Sequence, residues 1–200
     1  MTEKEVFEFY NNKAKIIYVA VEARNNVLPI ELLFEIHSAF DHLKQFHLGE
    51  EEEINSCREA ISHLKRGALD GYKIVLRDFN NSYKKLIGID ASYLRSIDNG
   101  EFLPKMLKKR KEILRAAGQA RLKEGIVDYE NAFDEWDKTY QLVTQFEDEF
   151  FDHEKIDWAK AENKIQRKRA LSKDLALGLV IGIIAGVVAT LIYNIIFQIA

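Results

Sequence analysis

The last 26 residues, Leu175 to Ala200, contain no charged side chain and consist mostly of Leu, Ile, Val, Ala and Gly. A helix of this composition is stable only where its side chains escape water, and a bilayer is the solvent that suits it. At about 1.5 Å of rise per residue the run extends roughly 39 Å against a hydrocarbon core of roughly 30 Å, so a tilted single span is expected. The preceding 174 residues suffice for one compact domain. The expected organisation is a helical domain over residues 1–154, a basic juxtamembrane stalk over 155–174 and a transmembrane helix over 175–200.

All charges lie before Leu175, and the formal net charge is −3. Their distribution says more than their sum. From Lys160 to Lys173 six basic residues (Lys160, Lys164, Arg167, Lys168, Arg169 and Lys173) stand against the single acid Glu162, a net charge of +5 beside the apolar run. Positive charge flanking a span marks the cytoplasmic side, and Lys164, Arg167, Lys168, Arg169 and Lys173 would face anionic lipid headgroups. The first ten residues are acidic and amphipathic, with no basic start or cleavage site for secretion. A single cysteine, Cys57, fits a reducing compartment. The expected location is therefore the inner membrane, single-pass, with the N-terminal domain in the cytosol.

The chain has only two prolines and ten glycines, and no alternating Val/Ile/Thr run reads as a strand. The expected fold is all-α, a helical bundle of long helices. Phe7, Tyr10, Ala14, Ile17 and Val21 recur at helical spacing until Asn25-Asn26. Pro29 starts a second helix carrying Leu32, Ile36, Phe40 and Leu43, and Gly49 ends it. The acidic run Glu50 to Glu53 suits the positive end of a third helix dipole. That helix is expected to exceed thirty residues, with a core stripe of Ile54, Cys57, Ile61, Leu64, Ala68, Tyr72, Val75 and Phe79. The turn-rich stretch Gly88 to Gly100 follows, with Asp98-Asn99-Gly100 its strongest breaker. A basic helix, Lys105 to Lys123, then precedes an acidic one whose stripe Ile126, Tyr129, Phe133, Trp136, Tyr140, Val143, Phe146 and Phe150 should be core. Their opposite charges favour pairing them. No helix breaker separates Trp158 from Lys173, so the last helix is expected to run unbroken into the bilayer.

Within the apolar run, Gly178, Gly182 and Gly186 form two overlapping Gly-x-x-x-Gly units, which let helix backbones approach closely. The same four-residue step continues through Thr190, Asn194 and Gln198. One stripe is thus small in its first half and hydrogen-bonding in its second, with Leu, Ile and Val opposite. Polar side chains in lipid are stable when paired with a neighbouring helix or with water, so self-association, or a water-filled pore, is expected.

Familiar enzyme signatures are absent: there is no Walker phosphate loop, Gly-x-Gly-x-x-Gly, Cys-x-x-Cys or Gly-x-Ser-x-Gly. His37, His42, His47 and His153 are spaced by five or isolated, so no metal site and no cofactor are expected. The basic helix Lys105 to Lys123 has no aromatic residue for base stacking, which favours a solvated charged face over an RNA platform.

Three segments carry a family resemblance: Glu35-Ile36-x-x-Ala39-Phe40-Asp41-His42-Leu43, Arg58-Glu59-Ala60-Ile61-Ser62-His63, and Ala60-Ile61-x-His63-Leu64-x-Arg66-x-Ala68-Leu69-Asp70. Over Pro29 to Lys73 the chain resembles bacterial HEPN-like helical domains. In HEPN ribonucleases an Arg-x4-6-His pair acts across a dimer, the histidine as general acid and base and the arginine on the transferring phosphate. The resemblance implies that Arg58 and His63 are catalytic, with RNA as a partner. Glu59, next to Arg58, departs from the family's usual small polar or basic residue and opposes RNA phosphate. Read from the residues alone, His63 shares a helical face with Glu59, Arg66 and Asp70, which predicts a polar network and an Arg66–Asp70 ion pair. A HEPN-like domain joined to a membrane helix resembles CRISPR-accessory and related antiphage effector proteins. That resemblance implies an oligomer that forms a pore or depolarises the inner membrane and a signal from a defence-system partner. A membrane-tethered ribonuclease and a non-catalytic tail-anchored scaffold are the alternatives.

Overall fold

The computed structural model describes residues 1–88, 91–125 and 129–198, with side chains in the last helix described as far as residue 192. Among the described residues there are seven α-helices and no strand. They are α1 (Glu3–Phe9), α2 (Lys15–Asn25), α3 (Ile30–His47), α4 (Glu53–Ile87), α5 (Phe102–Gly125), α6 (Tyr129–Phe150) and α7 (His153–Gln198). A π-helical turn, Tyr10–Ala14, joins α1 to α2, and a 3-10 segment, Ser92–Gly100, precedes α5.

The ends follow from local chemistry. Thr2 Oγ1 accepts from the Glu5 amide while Glu5 accepts from the Thr2 amide, a reciprocal cap that satisfies two orphan donors of α1. Asn26 closes α2 at φ 52°, a left-handed conformation that asparagine tolerates. Asp98, Asn99 and Gly100 all have positive φ and end the 3-10 segment, the break their sequence predicts.

The chain divides into two compact units. The first combines Met1–Ile89 with Pro104–Phe151. Its centre is the 35-residue α4, which buries Cys57, Ala60, Leu64, Ala68, Tyr72, Val75 and Phe79 along one face. From α6 come Phe133, Trp136, Val143, Phe146 and Phe150, all buried as expected. Ile126 and the side chain of Tyr129 lie outside the described residues. Phe79 meets Phe146 edge-on at 5.0 Å between centroids, and Phe146 meets Phe150 at 4.8 Å, favourable geometries for aromatic rings.

Three residues expected in the core are exposed: Phe7, Phe40 and Ile54. The π-helical turn explains the first. It inserts one residue between α1 and α2, so the position two turns before Ala14 is Val6, which is 2% exposed, while Phe7 is 49% exposed. Ile54 sits in the first turn of α4, before the buried face begins at Ser56 and Cys57. On α3 the buried positions are Leu32, Ala39 and Leu43, which leaves Phe40 on the margin.

The helix–helix fit depends on two glycines inside α4. A Cβ on Gly67 would lie 2.0 Å from Tyr18 Oη and 3.1 Å from Glu35 Cβ, and one on Gly71 would lie 2.9 Å from Ile17 Cγ1. These glycines hold no special backbone angle; they remove the side chain where α2 and α3 approach. Gly67→Ala is therefore expected to destabilise the protein by about 1–3 kcal/mol in urea denaturation. Tyr18 Oη has no hydrogen-bond partner among the described residues, so Tyr18→Phe should recover part of that loss in the double variant.

Among the described residues, Glu147 and Asp137 of α6 bind elsewhere than on the basic helix expected to take them. Glu147 forms a two-pronged pair with Arg24 of α2, and Asp137 accepts from Lys13 at 2.8 Å and from Tyr72 Oη at 2.8 Å. Pairing of α5 with α6 is seen near their junction, where Lys123 meets Glu135 at 3.0 Å and Trp136 Nε1 donates to Glu124 at 3.2 Å.

The second unit combines Asp90–Leu103 with Asp152–Ala200, grouping the turn-rich stretch with the last helix. Asp98 accepts from Lys155 at 2.9 Å, Ser92 Oγ accepts from Arg167 at 3.0 Å and from Asn163 at 3.3 Å, and Lys160 lies 5.8 Å above the Tyr93 ring. The 3-10 segment is thus strapped along the first four turns of α7.

Candidate functional site

Two places concentrate the residues singled out by sequence. The first is α7, a continuous 46-residue helix from His153 to Gln198. Its apolar part is long enough to cross a membrane, and none of its most apolar stretch is buried within the chain. Leu179, Ile181, Ile183, Ile184, Val187 and Leu191 are each more than half exposed. An apolar surface this large and contiguous marks a face that meets a membrane or a partner. A Cβ added at Gly178, Gly182 or Gly186 would meet nothing within 4 Å, so the glycine face is open to a neighbour's backbone. Thr190 Oγ1 donates to the Gly186 carbonyl at 2.8 Å, which satisfies its hydroxyl inside the helix. The side chains of Asn194 and Gln198 lie outside the described residues.

The basic collar that precedes this apolar stretch is two-sided. At about 100° per residue, Lys160, Lys164, Arg167, Lys168 and Leu171 share one face, whereas Arg169 and Lys173 point the opposite way. The first five, with Asn163, line an open groove of about 310 Å³.

The second place is α4. Arg58 and His63 are five residues apart, about 140° around the helix, so one chain does not bring them together. The Arg58 side chain is 63% exposed, donates to Asn55 Oδ1 at 3.0 Å and lies 3.8 Å from Glu59. With Ile61, Ser62 and Arg66 it lines a shallow groove of about 350 Å³. His63 is turned toward α3 instead. Its Nδ1 lies 2.7 Å from Glu35 Oε2, Arg66 Nη2 lies 2.6 Å from Nδ1 and 3.1 Å from Nε2, and its ring sits 5.2 Å from that of His42. Glu35 and Arg66 thus both contact the imidazole nitrogens. Both ring nitrogens are then occupied within the chain.

The polar network expected around His63 exists with different members. Arg66 pairs with Glu35 at 3.5 Å and Asp70 with Lys73 at 3.2 Å, so the expected Arg66–Asp70 pair is replaced. The cause is α3, which presents a carboxylate from another element that helical spacing along α4 cannot reveal. His63→Ala is accordingly expected to cost about 1 kcal/mol of stability in denaturant titration, since Glu35 and Arg66 remain and lose a shared partner.

No protein-family model, curated protein or solved structure matches this chain. Among the described residues no group of three or more His, Cys, Asp or Glu is placed to hold a metal ion. Cys57 is buried, and burial together with the nearby Glu53 charge pushes its thiol above the ordinary range, which keeps it protonated and a poor nucleophile. Iodoacetamide should label Cys57 only as fast as the fold opens.

Proposed function

We propose that this protein is a membrane-anchored effector that assembles through its last helix, with the first unit in the cytosol and the basic collar at the inner leaflet. The observation that carries this reading is the open glycine face of α7 on an otherwise bulky, fully exposed apolar helix. The continuity of α7 through the collar supports a mechanical role, because a rotation or tilt of the strapped lower turns passes along an unbroken helix into the span. In this reading the assembled helices open or depolarise the inner membrane, the outcome that the resemblance to antiphage effectors implies, and a defence-system partner or RNA supplies the signal.

The test is reconstitution of the full chain in vesicles loaded with an ion-sensitive dye. Leakage that rises steeply with protein-to-lipid ratio supports an assembled effector. Replacement of residues 175–200 by an unrelated single-span helix should abolish leakage; retained cellular function after that swap would instead indicate a scaffold. Arg58→Ala and His63→Ala should leave leakage intact. Loss of cellular function in both, with leakage unchanged, would turn the reading to a tethered ribonuclease.

A further inference from the structure

The basic groove and the glycine face lie on the same side of one helix. Eighteen residues separate Lys160 from Gly178, Lys164 from Gly182 and Lys168 from Gly186, which is five turns at 3.6 residues per turn. Helices that meet along the glycines therefore turn their basic grooves toward one another. From Gly182 down to Lys168 is about 21 Å of rise. Over that distance the axes diverge to roughly 11 Å at a 20° crossing and roughly 16 Å at 40°. Lysine side chains reaching across such gaps come within about the 8 Å screening length of physiological salt, so like charges repel.

Lys160 pairs with Asp157 at 3.2 Å, and Arg167 donates to Ser92 Oγ at 3.0 Å. Lys164 and Lys168 are exposed and have no ion-pair partner among the described residues. Two acids share that side: Asp157, which pairs with Lys160, and Asp174, next to Leu175. We infer that Lys164, Arg167 and Lys168 form a site for the phosphate of anionic lipid headgroups, and that its occupancy permits the last helices to associate. The site has the required chemistry: two ammonium groups, a guanidinium fixed in place by the strap, and the neutral Asn163 amide beside them. It also has the required depth. Lys168 and Arg167 lie about 10 and 12 Å of rise below Leu175, within reach of headgroups for side chains that snorkel, with Lys164 one turn below. Arg169 and Lys173, on the other face, contribute only general attraction to the leaflet.

This inference rests on the self-association proposed above, and one experiment separates the two. The full chain is reconstituted at equal density in vesicles of phosphatidylcholine or of phosphatidylcholine with phosphatidylglycerol, and association is read by energy transfer between labelled copies. Association should be about 30-fold stronger with phosphatidylglycerol, the scale of two lysine contacts with an anionic surface. Lys164→Gln with Lys168→Gln should remove most of that dependence and associate in both lipids. The charge-matched pair Arg169→Gln with Lys173→Gln should keep it. Equal association of the unmodified chain in both lipids, or equal responses of the two variant pairs, would overturn the inference while leaving self-association standing. Monomers in every lipid would overturn both. Inorganic phosphate added to phosphatidylcholine vesicles should have no effect; full rescue by it would replace the lipid headgroup with a free anion and overturn the assignment.

Discussion

Trp136→Ala should destabilise the first unit by about 3–5 kcal/mol, read as a lowered midpoint in urea with little change in slope. Trp136 is 0% exposed and is the largest fully buried side chain of the core. Its removal deletes an indole where α6 faces the centre of the first unit and takes from Glu124 the Nε1 donor at 3.2 Å, leaving that carboxylate to Lys73. Arg121, whose guanidinium carbon lies 6.0 Å from the ring centroid, loses a cation–π partner as well. Because a domain of this size holds only about 5–15 kcal/mol in total, the variant should sit near its unfolding threshold. Trp136→Phe keeps much of the volume and should lose considerably less, which separates packing from the indole hydrogen bond. A Trp136→Ala change below about 1 kcal/mol would mean that α6 is not packed as described.

Gly182→Leu should leave membrane insertion intact and weaken association by roughly tenfold to a hundredfold, equivalent to about 1–3 kcal/mol of steric cost at a close helix contact. Leucine is favourable in lipid, so the substitution does not penalise the span itself. It places four carbon atoms where a neighbour's backbone would lie, at a site that is empty within the chain. Val180→Leu adds bulk about 160° away around the helix and should change little. Equal association of both variants with the unmodified chain would show that the glycine face is not the contact.

The long helices were legible because their signals are local. The three-and-four spacing from Phe133 to Phe150 marked a buried face, and Asn26 and Asp98-Asn99-Gly100 marked breaks that the backbone realises as left-handed residues. The absence of charge after Asp174 marked the helix long enough to cross a membrane. What escaped depends on partners distant in sequence. Phe7 carried the right spacing for core, but a one-residue π insertion passed that role to Val6. Glu35 lies 28 positions from His63, and no periodicity on either helix announces their contact. Gly67 and Gly71 could have been noticed as a Gly-x-x-x-Gly step inside a long amphipathic helix, the spacing read as meaningful in the membrane segment; here they seat Tyr18 and Ile17. The two-sidedness of the collar was present in the numbering, whereas the hydrogen bond that holds Arg167 on Ser92, 75 positions away, was not.

The most direct measurement is the mass of the detergent-solubilised full chain, by light scattering corrected for bound detergent, beside a chain ending at Asp174. Assembly through α7 predicts a defined oligomer for the full chain, a multiple of 23.2 kDa, and a smaller species, down to a single shortened chain, once residues 175–200 are removed. A full-length monomer, or an oligomer of the same subunit number in both, would contradict it.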